Sequence, residues 1–234
     1  MVRPYICTCD GRLDVFKKFV ESYVKYAKPF LEQPIVYYSG DGEEYHKLID
    51  LLDPIEKIDQ GSVIESSKEA SIDYKCIWEF PEIIAKSEVY KKEFILFLED
   101  DIIFSSKFHE AIEEVEEHAI NYGVVDVTTL FGHNEEYWPE VNNKANWYIY
   151  KFDGSNYHGN LAVMFRPELM EFWLQHREQL WADVDEGWDW KIGTYFQSQG
   201  KGFYCTHHHY VQHQVGYSVI SDCHKHEVSY RFVK

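Results

Sequence analysis

A chain of 234 residues, 45% hydrophobic and 27% charged, is long and apolar enough to bury a core without covalent staples, which argues against disorder. Its formal net charge of −17 argues against nucleic-acid polymers and anionic membranes, since both need a basic surface to displace counterions. Five cysteines, at 7, 9, 76, 205 and 223, form no CxxC pair and leave one over, which points to a reducing compartment.

Near the N-terminus, Ile6 to Thr8 reads as a short strand, followed by the turn Asp10-Gly11. A helix is expected from Leu13 to Ala27, where Phe16, Phe19, Val20 and Tyr23 recur at helical spacing. Pro34 to Tyr38 is the next strand, closed by Ser39-Gly40-Asp41-Gly42. A helix over Glu43 to Leu52, a short strand over Ile55 to Ile58 and a helix from Ile72 to about Ser87 follow. Phe94 to Leu98 is an uninterrupted apolar run, as expected of a strand covered on both faces, and it ends in Glu99-Asp100-Asp101.

Ser105 or Ser106 suits the cap of a helix running from Lys107 to about Asn121. Strands are expected over Val124 to Phe131, Trp147 to Phe152 and Leu161 to Phe165, then a helix to about Leu180 and a last helix from Asp185 to Gln199. The alternation predicts an α/β fold: a mostly parallel central sheet with helices on both faces and a less regular second half. Without a repeat or linker, one domain over residues 1–234 is expected. No apolar stretch has the length of a signal peptide or membrane span, so a soluble, cytoplasmic or otherwise intracellular protein is expected.

Three adjacent acids at a strand end need solvation, pairing or a metal, because desolvating an unpaired carboxylate is costly. Strand alternation would put Glu99 and Asp101 on one side and Asp100 on the other. An all-oxygen set suits Mg²⁺ or Mn²⁺, with ligand phosphate oxygens completing the shell. A solvated strand end capping the next helix would explain the acids without chemistry. The stretch His207 to His213 offers an imidazole to the same ion, although consecutive histidines on an extended chain cannot all face it. The 18 Tyr, 15 Phe and 7 Trp fill a core, and rings beside polar residues also suit the C–H faces of sugars.

Phe97-Leu98-Glu99-Asp100-Asp101, followed by Ser105 to Phe108, resembles the metal-binding segment of nucleotide-diphosphosugar transferases of the GT-A fold. The pattern is similar to the N-acetylglucosaminyltransferase family of N-glycan and O-mannosyl glycan synthesis. Cys9-Asp10-Gly11-Arg12, Ser39-Gly40-Asp41-Gly42, the acidic triplet and Gly187-Trp188-Asp189-Trp190 occur in the family's order, and Gln212 to Ser218 resembles a further segment.

This resemblance implies a GT-A domain, with a nucleotide-binding half at about 1–104 and an acceptor-binding half at about 105–234. It implies Asp101 and His213 as metal ligands, and Asp100 and Glu99 as contacts to the donor sugar and to the ribose or metal-bound water. Asp41, Thr8 and Arg12 would line the base pocket, with uridine favoured, and His158 and Gly159 would border the donor sugar. Asp189 would be the base of an inverting transfer from a nucleotide-sugar donor to a glycan or other hydroxyl acceptor, with Asp185 and Glu186 as rivals. Acids in the first turn of a helix are also favourable there without any function. No membrane anchor or stem like those of the Golgi members is expected from this sequence, and the region holding Trp138 and Trp147 does not align with them. A nucleotidyltransferase of related fold is the rival enzyme, although Cys7 to Arg12 is a poor Gly-rich phosphate loop. A non-catalytic metal- or sugar-binding module is the other alternative.

Overall fold

The structure, a computed structural model, describes residues 1–60, 76, 79–84, 93–122, 126–131, 149–152, 162–180, 188–206, 208–214 and 232. Among the described residues the central strands are β1 (Val2–Cys9), β2 (Ile35–Ser39), β3 (Glu56–Asp59), β4 (Phe94–Glu99), β6 (Val127–Thr129), β7 (Ile149–Phe152), β8 (Ala162–Phe165) and β9 (Phe203–Thr206). These eight form one sheet in the order β3-β2-β1-β4-β8-β6-β9-β7. A separate two-stranded sheet pairs β5 (Ile102–Phe104) with β10 (Val211–His213). The helices are α1 (Leu13–Ser22), α2 (Glu43–Leu52), α3 (Phe108–Tyr122), α4 (Glu168–Leu180) and α5 (Trp188–Ser198), and residues 79–84 are also helical.

In the first half, β3, β2, β1 and β4 are all parallel. The β8 strand reverses direction between β4 and β6, β6 pairs parallel with β9, and β7 closes the edge antiparallel. Two reversals restore direction, so β1, β2, β4, β6 and β9 all point their carboxyl ends to one edge. The α/β class expected from the sequence, a mostly parallel sheet covered on both faces, is the one observed.

Period-two alternation explains how the sheet is covered. Ile6, Val36, Leu96, Leu98, Ala162 and Met164 face a cluster shared with Phe16 and Phe19 of α1, Ile49 of α2 and Phe108 of α3. Tyr5, Ile35, Tyr37, Ile95, Phe97, Val163 and Phe165 face the opposite cluster, with Phe80, Trp173 of α4 and Phe196 of α5. Because both faces are buried, the central strands need an unbroken apolar run. Each large side chain so buried contributes roughly 1.5–3 kcal/mol.

The elements refine the sequence reading at several points. β1 begins at Val2, well before Ile6, and α1 ends at Ser22, where one π turn (Tyr23–Ala27) continues it. α2 has the predicted bounds, and β3 and α3 each start one residue later than expected. Ser105 is the capping serine: its Oγ accepts the Lys107 N–H at 3.0 Å. β5, β9 and β10, of three, four and three residues, were not predicted. The predicted helix over 72–87 is described only at residue 76 and at 79–84, where it is helical.

Candidate functional site

The carboxyl edge of the sheet gathers the chemically capable residues. The β1 strand runs parallel to both β2 and β4, with Cys9 opposite Ser39 and Cys7 opposite Glu99, so the loops after all three strands open side by side. The first two loops touch. Gly40 has φ +134°, and a Cβ there would lie 2.3 Å from Asp10 Cγ, so only glycine admits the loop after β1 this closely. Asp41 follows on that rim with its side chain exposed.

β4 ends at Glu99, and Asp100 and Asp101 form the turn into β5. This corrects the alternation expected across the triplet. In a turn the side chains no longer alternate, so both aspartates reach the same guanidinium. Arg12 Nη1 donates to Asp101 Oδ2 at 3.0 Å, and Arg12 Nη2 donates to Asp100 Oδ1. Thr8 Oγ1 donates to Asp100 Oδ2 at 2.8 Å, and the Cys9 N–H approaches the same oxygen at 3.4 Å.

Asp100 is fully buried and Asp101 is 5% exposed. Burial pushes the Asp100 carboxyl above the ordinary aspartate range and Asp101 adds to that push, while Arg12, Thr8 and the Cys9 N–H oppose it. The geometry explains why Thr8 and Arg12 stand where they do. Thr8 lies next to last in β1, and Arg12 closes a 3-10 turn (Asp10–Arg12) that leads into α1, so both reach across to the end of the neighbouring strand. Glu99 is half-buried at the end of β4.

On its other side Asp101 meets the second sheet. β10 pairs antiparallel with β5, with His213 opposite Ile102, and this register brings His213 Nε2 to 3.2 Å from Asp101 Oδ2. Gln214, which the sequence reading did not single out, fixes that approach. Its N–H donates to the Asp101 carbonyl at 2.7 Å, and its side-chain amide donates to the carbonyls of Val15 at 2.9 Å and Ile102 at 3.3 Å. Phe131, after β6, packs edge-on to His213 and also touches the buried His209. Tyr210, just before β10, donates to Glu114 of α3, and burial raises the Glu114 carboxyl to about 7.

The oxygen of Asp101, in the turn before β5, and the imidazole nitrogen of His213, on β10, converge, and such a carboxylate–imidazole pair could hold a divalent cation such as Mn²⁺. Two protein donors fit a cation that fills the rest of its shell with phosphate oxygens or water. Among the described residues no group of three or more His, Cys, Asp or Glu is arranged to hold a metal.

Asp189 lies in the first turn of α5. A connection of four residues, 199–202, joins α5 to the start of β9, and Ile192 and Phe196 pack α5 along the sheet. An eleven-residue helix spans about 16 Å. Its first turn therefore lies toward the carboxyl edge, the edge that carries Asp100 and Asp101. Lys191, in the same turn, is 9% exposed, and its ammonium has no hydrogen-bond partner among the described residues. Asp185, Glu186, His158 and Gly159 lie outside the described residues, as do Trp138 and Trp147. No described helix is long and apolar enough to cross a membrane.

No protein-family model matches the chain, and no curated protein matches it. Solved structures do. Residues 1–349 of S. aureus TarS superpose with a TM-score of 0.56 at 11% identity, over 92% of this chain and 60% of that one. The glycosyltransferase GlyE of Streptococcus pneumoniae TIGR4 aligns at a TM-score of 0.48 and 9% identity, over 88% of this chain and 45% of that one. The galactosyltransferase LgtC, solved with donor and acceptor sugar analogues, aligns at 0.48 and 14% identity, over 82% and 69%. At these identities the likeness is one of fold, and the chain spans less than two thirds of the first two structures.

Proposed function

We propose that the chain is a metal-dependent glycosyltransferase that moves a sugar from a nucleoside-diphosphate donor, with uridine favoured, to a glycan or other hydroxyl acceptor. The observation that carries this reading is the convergence of Thr8, Arg12, Asp100, Asp101 and His213 at the carboxyl edge of a mostly parallel sheet, where such folds collect ligands. This edge combines buried carboxylates with a guanidinium, which suits a ligand that is itself anionic and brings a cation.

Each residue has a part. Asp101 and His213 would hold Mn²⁺ or Mg²⁺, which when bound supplies positive charge to offset the departing diphosphate. Asp100, anchored by Thr8 and the Cys9 N–H, fixes the turn that presents Asp101. Its carboxylate and Glu99 mark the side for the sugar and ribose. Asp41, exposed on the rim after β2, suits a hydrogen bond from the base, with His158 and Gly159 bordering the donor sugar. Residues 1–104 would form the nucleotide half of one domain and residues 105–234 the acceptor half.

Asp189 takes the proton of the acceptor hydroxyl. The freed oxygen attacks the anomeric carbon from the face opposite the diphosphate, the new C–O bond forms as the bond to the leaving phosphate breaks, and the configuration inverts. Asp185 and Glu186, just ahead of Asp189 in the chain, are the rival bases.

The test is release of nucleoside diphosphate from a panel of nucleotide sugars, with Mn²⁺ and with EDTA. Release that requires Mn²⁺ and is lost in Asp101→Asn is expected. A protein that binds donors and never turns them over would instead be a binding module, and release of pyrophosphate from a nucleoside triphosphate and a sugar phosphate would identify a nucleotidyltransferase.

A further inference from the structure

We infer that Arg12 is a built-in counter-ion that competes with a divalent cation for Asp101 and is freed, on cation binding, to meet the diphosphate; this rests on Asp101 being the cation's ligand. Two adjacent carboxylates are buried here against one guanidinium, which places one nitrogen on each. Buried carboxylates without a counter-charge are strongly disfavoured, so the guanidinium stabilises the ligand-free site.

The two aspartates are held differently. Asp100 keeps Thr8 and the Cys9 N–H on its second oxygen if Arg12 leaves. Asp101 presents one and the same oxygen, Oδ2, to Arg12 and to His213. A cation held jointly by His213 and Asp101 would bear on that oxygen, and a divalent ion and a guanidinium repel when they share one buried oxygen. Occupancy by one therefore weakens the other.

Arg12 is also placed to leave. It sits on a short 3-10 turn ahead of α1, beside the exposed Gly11, and its side chain is 17% exposed, so a rotation moves no core residue. Oxygens of a diphosphate accept the guanidinium fork as well as carboxylates do. The arrangement makes the apo site charge-balanced and couples cation entry to the release of a phosphate-binding arm.

The test is Mn²⁺ titration of the wild type, Arg12→Gln and Arg12→Lys, read by the electron paramagnetic resonance signal of free Mn²⁺ and by thermal unfolding. Mn²⁺ is expected to bind about tenfold tighter to Arg12→Gln, within the range of ordinary site-to-site coupling, and to a lesser degree tighter to Arg12→Lys. The unfolding temperature of Arg12→Gln should be lowered in EDTA and recover with Mn²⁺ more than that of the wild type. Should Arg12→Gln fail to fold in EDTA, Arg12→Lys decides, since it keeps the charge and loses the fork. Unchanged or weaker Mn²⁺ binding in the variants, or no Mn²⁺ binding by any of them, overturns the inference. Donor turnover is scored separately: competition without turnover refutes sugar transfer alone, and turnover without competition refutes the role of Arg12 alone.

Discussion

The two sides of Asp101 are built to different standards. Toward β1, Asp100 is held by Thr8 and the Cys9 N–H at the end of parallel strands whose two faces are both buried. Toward His213, the contact depends on a two-stranded sheet of three residues per strand, steadied by Gln214 and by the Tyr210–Glu114 contact. A short two-stranded pairing is marginal by itself, so side-chain anchors carry it. The carboxylate side of the site is thus the preorganised one, and the imidazole side is expected to open first.

The largest effect is expected away from both sides, at the start of α5. Asp189→Asn should lower turnover by about 10²–10⁴-fold while leaving donor binding intact, measured by steady-state kinetics and calorimetry. Unchanged turnover would move the base to Asp185 or Glu186. On the preorganised side, Asp100→Ala removes one of the two carboxylates on Arg12 and the acceptor of the Thr8 hydroxyl. Roughly 1–3 kcal/mol of stability should be lost in urea unfolding. A loss under about 1 kcal/mol, as for an exposed pair, would mean the cluster is no anchor.

Gln214→Ala sharpens the contrast. It removes a donor from the buried carbonyl of Ile102 and from that of Val15, at a cost of about 1–3 kcal/mol. Hydrogen exchange should accelerate in β5 and β10 and stay unchanged in β1 and β4. Equal acceleration in all four strands would show that the small sheet is not a separate unit.

Glu114 gives the smallest effect and a distinct sign. Burial raises its carboxyl in the folded state from the ordinary 4.5 to about 7, so the folded protein holds the proton more tightly than the unfolded chain. The stability this contributes is complete below about pH 4.5 and declines as the pH rises toward 7. The difference in unfolding temperature between wild type and Glu114→Gln should therefore change between pH 5 and 8, with the wild type losing ground at the higher pH. A pH-independent difference would show that burial does not raise the Glu114 carboxyl.

How much of this was legible in the sequence follows the same division. Phe94 to Leu98 and the spacing of Phe16, Phe19 and Val20 are local patterns, and the parallel half could be drawn from them. Asp100 and Asp101 were visible as an oddity, three charges after five apolar residues, but their shared guanidinium was not. It depends on a turn where alternation was expected and on β1 lying beside β4. His213 entered only through resemblance, since its closeness to Asp101 is set by a three-residue pairing 109 positions apart at Ile103 and Gln212. Gln214 lay inside the Gln212 to Ser218 segment but gave no signal of its own role, because an amide that bonds distant carbonyls looks like any surface glutamine until the chain is folded.

The most direct measurement is calorimetric binding of uridine diphosphate, with Mn²⁺ and with EDTA, to the wild type and to Asp101→Asn. The account predicts binding that needs Mn²⁺ and disappears in the variant. Absence of binding to the wild type, or equal binding to both proteins, would contradict it.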